Sequence, residues 1–228
     1  MKKSLLSILV TLSLAAATSA NAAIIVSEVA PWSSGNSSLG KDWFELTNTG
    51  SAAVTITGWK VDDGSASFAS ALVLNGVTSI NAGESVIFIE SSTSASTAFN
   101  NLWFGANVPA NLQIGYYSGS AIGLSTSGDA VNIYNSSGVL QASVSFGASD
   151  AVSPFHTFDN AAGVTGAIST LSQVGVNGAF VATNSLTANS ITEIGSPGRI
   201  AAVPEPETFA LLVAGLGLVG FSSRKRQA

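Results

Sequence analysis

Between residues 23 and 203 the apolar residues fall in short alternating runs broken by Gly, Asn, Ser and Asp, and this period-two punctuation constrains the fold more than any other feature. A helix would need an apolar stripe recurring every 3.6 residues over ten or more positions, and no such stretch occurs there. The clearest strand segments are 24–29, 43–47, 54–61, 85–89, 130–134 and 139–146. In DWFELTNTG, Phe44 and Leu46 share one face while Trp43, Glu45 and Thr47 share the other, and Asn48-Thr49-Gly50 supplies a turn. In INAGESVIFIE, Gly83 suits a turn, and Val86 and Phe88 alternate with Ile87 and Ile89, which predicts a strand buried on both faces. Residues 129–146 read as a hairpin turning at 135–138. Many short strands about ten residues apart predict an all-β sandwich or barrel.

The chain contains no cysteine, so its stability has to come from a packed core. The stretch 23–203, about 180 residues, is long enough for one substantial domain. It carries eleven acids against three bases (Lys41, Lys60 and Arg199), a net charge of −8, which repels phosphate backbones and sets nucleic-acid binding aside.

The two ends have a different character. Lys2 and Lys3 precede an apolar stretch over 5–17, and Ala20-Asn21-Ala22 offers the small-x-small pattern of a signal-peptidase site, with cleavage before Ala23. Residues 1–22 are therefore expected to be a signal peptide; a core helix would not show charged start, apolar middle and small-residue end in that order. At the other end, Pro204 and Pro206 hold an extended clip, residues 209–221 carry no charge, and Arg224, Lys225 and Arg226 form a basic tail. As a helix that apolar run spans about 20 Å, against a hydrocarbon core of about 30 Å. It suits a temporary stop with the basic tail on the cytoplasmic side; a permanent anchor would need snorkelling by Arg224 and local thinning of the bilayer.

Two family resemblances follow from these residues. KDWFELTNTGSAAVTITGWKVDDG and LNGVTSINAGESVIFIE resemble the lamin-tail domain, an immunoglobulin-like β-sandwich, through Glu45, Leu46 and Asn48, then Gly58, Trp59 and Val61, then Ile80, Ala82 and Gly83. GLSTSGDAVNIYNSSGVLQASVSFG resembles the strands that follow in that family, and EIGSPG, at 193–198, its closing Pro-Gly. VPEPETFALLVAGLGLVGFSSRKR resembles the PEP-CTERM sorting signal of Gram-negative bacteria, with the motif at Val203, Pro204, Glu205 and Pro206. The resemblances imply an all-β, lamin-tail-type sandwich over 23–198, flanked by a signal helix and by a sorting region over 199–228 whose transmembrane helix covers 208–223. They imply recognition by exosortase, an integral-membrane transpeptidase, and a place in the cell envelope or outside it, in organisms that make exopolysaccharide.

Candidate chemistry is sparse, and no catalytic, cofactor-binding or metal-binding residue is expected. Gly215, Gly217 and Gly220 match a dinucleotide fingerprint by letter, but neither the following helix nor the later acid is present. His156 is the single histidine; Ser153 and Asp159 lie within seven residues of it without a nucleophile elbow. Asp62-Asp63-Gly64 reads as a turn rather than a calcium loop. The segment 91–120, with Phe99, Trp103, Phe104, Tyr116 and Tyr117, is expected to cap one end of the core; the alternative is an aromatic binding surface.

Two functions fit. One is a non-enzymatic envelope or matrix module with exopolysaccharide, other surface proteins or itself as partner, and with membrane contact through the tail. The other is a secreted polysaccharide hydrolase with a carboxylate pair drawn from Glu28, Asp42, Glu45 and Asp129.

Overall fold

The computed structural model describes residues 24–32, 38–119, 122–185 and 191–199. The expected signal helix over 1–22 and transmembrane helix over 208–223 lie outside the described residues. Among the described residues no helix is long and apolar enough to cross a membrane.

In chain order the elements are β1 (Ile24–Ala30), β2 (Trp43–Asn48), β3 (Val54–Thr55), β4 (Lys60–Asp62), β5 (Leu72–Val73), β6 (Ser79–Ile80), β7 (Ser85–Glu90) and the helix α1 (Ser96–Trp103). They continue with β8 (Gln113–Tyr117), β9 (Asp129–Tyr134), β10 (Leu140–Phe146), β11 (Phe155–His156), β12 (Phe158–Asp159), β13 (Gly166–Ile168), β14 (Phe180–Val181) and β15 (Glu193–Gly195). One five-stranded sheet runs β12-β1-β2-β7-β8 and the other β13-β10-β9-β4-β5. A three-stranded sheet, β11-β15-β14, and the pair β3-β6 complete the set.

The two large sheets enclose one core, an arrangement consistent with the immunoglobulin-like sandwich. Phe44, Leu46, Val86 and Phe88 from the first sheet share a cluster with Val61, Val131, Ile133 and Val144 from the second. Trp59 joins this cluster. The alternation read in β2 and β7 is therefore real on one face, and on the other face it builds a second core. There Trp43, Ile87 and Ile89 meet Phe99, Leu102 and Trp103 of α1, together with Trp32 and Phe155. Trp43 stands edge-on to Trp32, Phe99 and Trp103 at centroid separations of 6.3, 5.4 and 5.7 Å.

This corrects the expectation for 91–120. The segment does not close an end of the sandwich; α1 lies on the outer face of the first sheet, with Phe99, Leu102 and Trp103 on one stripe at i, i+3 and i+4. Nor do its large aromatics form an exposed platform, since Phe99, Trp103, Phe104 and Tyr117 are all buried.

The expected strand over 54–61 is also two strands. Gly58 has φ +76°, a conformation that residues with a Cβ rarely adopt, and the Trp59 amide donates to the Ile56 carbonyl. The chain turns there, so β3 pairs with β6 while β4 enters the second sheet between β5 and β9. Asn48 fixes the neighbouring turn: its Nδ2 donates to the carbonyls of Ala52 and Ile80, and its Oδ1 accepts from the Gly50 amide. The hairpin at 135–138 is as expected, with the Asn135 carboxamide oxygen accepting from the amides of Ser137 and Val139.

Beyond Phe146 the chain returns to the first sheet. β12 adds to the free side of β1, β13 runs parallel to β10, and β15 lies between β11 and β14. This return brings residues 193–199, here called the strap, against β1 and β2.

Candidate functional site

Three acids stand in one row across the first sheet. Glu28 on β1 is the register partner of Asp159 on β12 and of Glu45 on β2. The β1–β2 register shifts between Val26 and Glu28, which leaves Ser27 as the extra residue of a bulge and lets it reach Glu45 as well. All three carboxyls are buried, Glu28 at 1% and Glu45 at 2% exposure.

Their partners are hydroxyls, amides and one carboxamide. Glu28 Oε1 accepts from Thr157 Oγ1 at 2.5 Å and from the Ser196 amide at 2.7 Å. Glu28 Oε2 is buried and has no hydrogen-bond partner among the described residues. Glu45 Oε1 accepts from Ser27 Oγ at 2.8 Å, and its Oε2 from the Gly198 amide at 2.5 Å. Hydroxyl chains extend from both acids, through Thr157 to Ser172 and through Ser27 to Thr47 and Ser85. Asp159 accepts from the Ala161 amide and from Asn177 Nδ2.

Burial without a cation makes the charged forms unfavourable. Loss of solvent raises Glu28 to about 8, helped by the facing Glu45 and Asp159 and opposed by its donors. Loss of solvent likewise raises Glu45 to about 7, against the pull of Gly198 and its hydroxyl donors. Glu28 therefore keeps its proton at neutral pH, and Glu45 gives its proton up close to neutrality.

The strap fits over this row closely. A Cβ at Gly195 would lie 2.7 Å from Glu28 Oε1, 2.9 Å from Thr157 Cγ2 and 3.0 Å from Trp103 Cη2, so a side chain there collides on three sides. Arg199 then sets its guanidinium over the Phe180 ring at 4.4 Å. The closing Gly-Ser-Pro-Gly is thus the lid of the carboxylate row, and Glu45 of the Glu-Leu-x-Asn strand is its acceptor.

Of the acids weighed for hydrolysis, Glu28 and Glu45 are brought together and the other two are not part of the pair. Asp42 Oδ2 accepts from the Leu124 amide, and Asp129 accepts from the amides of Gly64, Ser125 and Ala130. A general acid and base must reach a substrate, whereas this pair faces the strap from beneath.

The other patterns resolve into structural roles. His156 Nδ1 pairs with Asp150 Oδ2 at 2.7 Å, Ser153 Oγ accepts from the Thr192 amide, and Asp159 belongs to the row, so the three residues near position 156 form no relay. Asp62 accepts from Ser65 Oγ, the Ser67 amide and Ser70 Oγ and organises its own loop. Among the described residues no group of three or more His, Asp or Glu side chains is placed to hold a metal ion. Asp159, Thr157, Ser196 and Gly198 escaped the sequence reading as members of the site; the 193–198 closing motif was the signal that pointed toward two of them.

The signal-peptidase residues Ala20, Ala22 and Ala23, the motif residues Val203, Pro204, Glu205 and Pro206, and the basic tail Arg224, Lys225 and Arg226 all lie outside the described residues.

Compared with known proteins, residues 17–148, more than half of the chain, match the Lamin Tail Domain family. Residues 202–227 match the PEP-CTERM protein-sorting motif. A search of curated proteins returns no match.

Proposed function

This chain belongs to the lamin tail domain family and carries a PEP-CTERM sorting motif, and from those two facts we propose that it is an exported, non-catalytic module of the cell envelope or extracellular matrix of a Gram-negative bacterium. Exosortase recognises it at Val203-Pro204-Glu205-Pro206, while the apolar segment over 208–223 and the basic tail hold it at the inner membrane at least until processing. The observation that carries this reading is the sorting motif over 202–227, three residues beyond Arg199, where the strap is still packed on Phe180. A cut near Pro206 leaves that packed body whole.

Burial of Glu28 and Glu45 under the strap supports a non-catalytic body over the polysaccharide-hydrolase alternative. Polymer contact then falls to exposed polar surface, such as the open recess of about 310 Å³ lined by Lys41, Glu90, Ser91 and Ser118, which offers hydroxyls and both signs of charge to sugar hydroxyls. Exopolysaccharide and other surface proteins are the partners of this reading.

Mass spectrometry of the mature C-terminus from the native host tests the sorting step. Loss of the chain beyond about Pro206 supports it, and retention of residues 224–228 in the mature protein refutes it. A pull-down on the host's own exopolysaccharide tests the partner, and no enrichment over a charge-matched control counts against it.

A further inference from the structure

Among the described residues the row Asp159–Glu28–Glu45 has no ion-pair partner, and the strap is bonded to two of its three members. Like charges opposed across a sheet repel, and burial magnifies the repulsion. Two backbone amides, Ser196 on Glu28 and Gly198 on Glu45, tie the strap to these acids. Opening the strap would let water reach both carboxyls, including Glu28 Oε2, which is buried without a partner among the described residues.

We propose that the strap Glu193–Arg199 is a pH-responsive clasp, closed on β1 and β2 while Glu28 and Glu45 keep their protons and loosened as they lose them. The raised proton affinity of Glu28 and Glu45 sets the window, from the ordinary carboxyl range up to about pH 8. Within it, an opened strap releases protons that the closed one retains, so rising pH favours opening.

The charged groups packed around the row are few. β12 contributes Asp159, β15 contributes Glu193, whose Oε1 accepts from the Ser38 amide, and the strap's own Arg199 is turned onto Phe180. β11 contributes His156, which is engaged with Asp150. β7 presents Ser85 and Ile87 beside β2, and α1 presents Trp103. The clasp belongs to the folded body and works whether or not the tail is processed.

Hydrogen exchange on the full chain from pH 5 to 8, corrected for intrinsic exchange, reads this directly. The opening constants of the Ser196 and Gly198 amides are expected to rise with pH, by up to about tenfold per unit for each proton released. They should exceed those of Ile133 and Val144 in the sandwich core throughout. The double variant Glu28→Gln with Glu45→Gln is expected to abolish the rise. Opening at Ser196 and Gly198 that ignores pH, that only matches Ile133 and Val144, or that keeps its slope in a folded double variant would overturn the clasp. If the double variant does not fold, the profile of the unaltered chain still decides.

Discussion

The Gly198 amide donates to Glu45 Oε2 across 153 residues of chain, so the second strand of the fold and the segment that precedes the sorting motif close as one unit. Replacing Glu45 by Ala removes the acceptor for both Gly198 and Ser27 Oγ in a buried place. Leaving such donors unsatisfied costs about 1–3 kcal/mol. Glu45→Ala is expected to lower unfolding free energy by about 2 kcal/mol in a denaturant titration, whereas Glu45→Gln, which keeps an acceptor, should lose about 1 kcal/mol or less. Equal stability of the Ala variant and the parent would contradict this role.

Glu28 and Glu45 also set a direction for stability against pH. Their folded-state values, about 8 and about 7, lie above the 4.5 of the unfolded chain. Below pH 4.5 both states are protonated and the contribution is fully present. Between 4.5 and about 8 the unfolded chain sheds protons that the folded one keeps, so stability falls as pH rises. The expected slope is up to about 1.4 kcal/mol per pH unit for each acid, and Glu28→Gln should flatten it. Thermal melts across pH 4.5 to 8 check the sign; a melting temperature that climbs through that window would be incompatible with the buried row.

Trp43 is the keystone of the outer core, edge-on to three aromatic rings, two of them on α1. Trp43→Ala is expected to cost about 3–5 kcal/mol, the range for truncating a large buried ring. Because α1 has no side-chain cap and is eight residues long, it depends on that packing rather than on its own propensity. Limited proteolysis should therefore cut the variant near residues 96–104 before it cuts the β9–β10 hairpin. Protection of α1 equal to that in the parent would place its support elsewhere.

The parts of this fold that local pattern governs are legible in the sequence, and what tertiary contact decides is not. The alternation of β2 is plain in Trp43 to Thr47, burial on both faces follows for β7 from Val86 to Ile89, and the Asn135 turn is legible from its residue types; that β2 is also buried on both faces is seen only in the structure. β11 to β15 are two or three residues long, too short for periodicity to register, and they are strands because β1 pairs with β12, β10 with β13, and β15 with β11 and β14. Gly58 was singled out, yet a single apolar run across 54–61 hid the change of sheet that its positive φ permits. Glu28 and Glu45 are legible only as two of four candidate acids; the row itself is not, since register across β12, β1 and β2 joins residues far apart in the chain. Glu45 stands out in the sequence as a motif residue and a candidate acid; its depth comes from a strap more than a hundred positions away.

The strap also divides the chain into what the body needs and what it does not. Glu193 to Gly195 form the central strand between β11 and β14, Ser196 and Gly198 tie down the acids, and Arg199 covers Phe180. A chain ending at Arg199 keeps all of these contacts, and its melting temperature is expected to stay within about 2 °C of the full chain, a difference of a few tenths of a kcal/mol. A chain ending at Thr192 loses the central strand, leaves β11 and β14 without a partner and exposes the Glu28–Glu45 pair. Removing several buried hydrogen bonds together should cost well over about 3 kcal/mol, so this shorter chain is expected to melt more than about 10 °C lower or to fail to fold. Equal melting of the two truncated chains would mean that the strap rests on the sandwich without holding it, and the body would then end before Glu193.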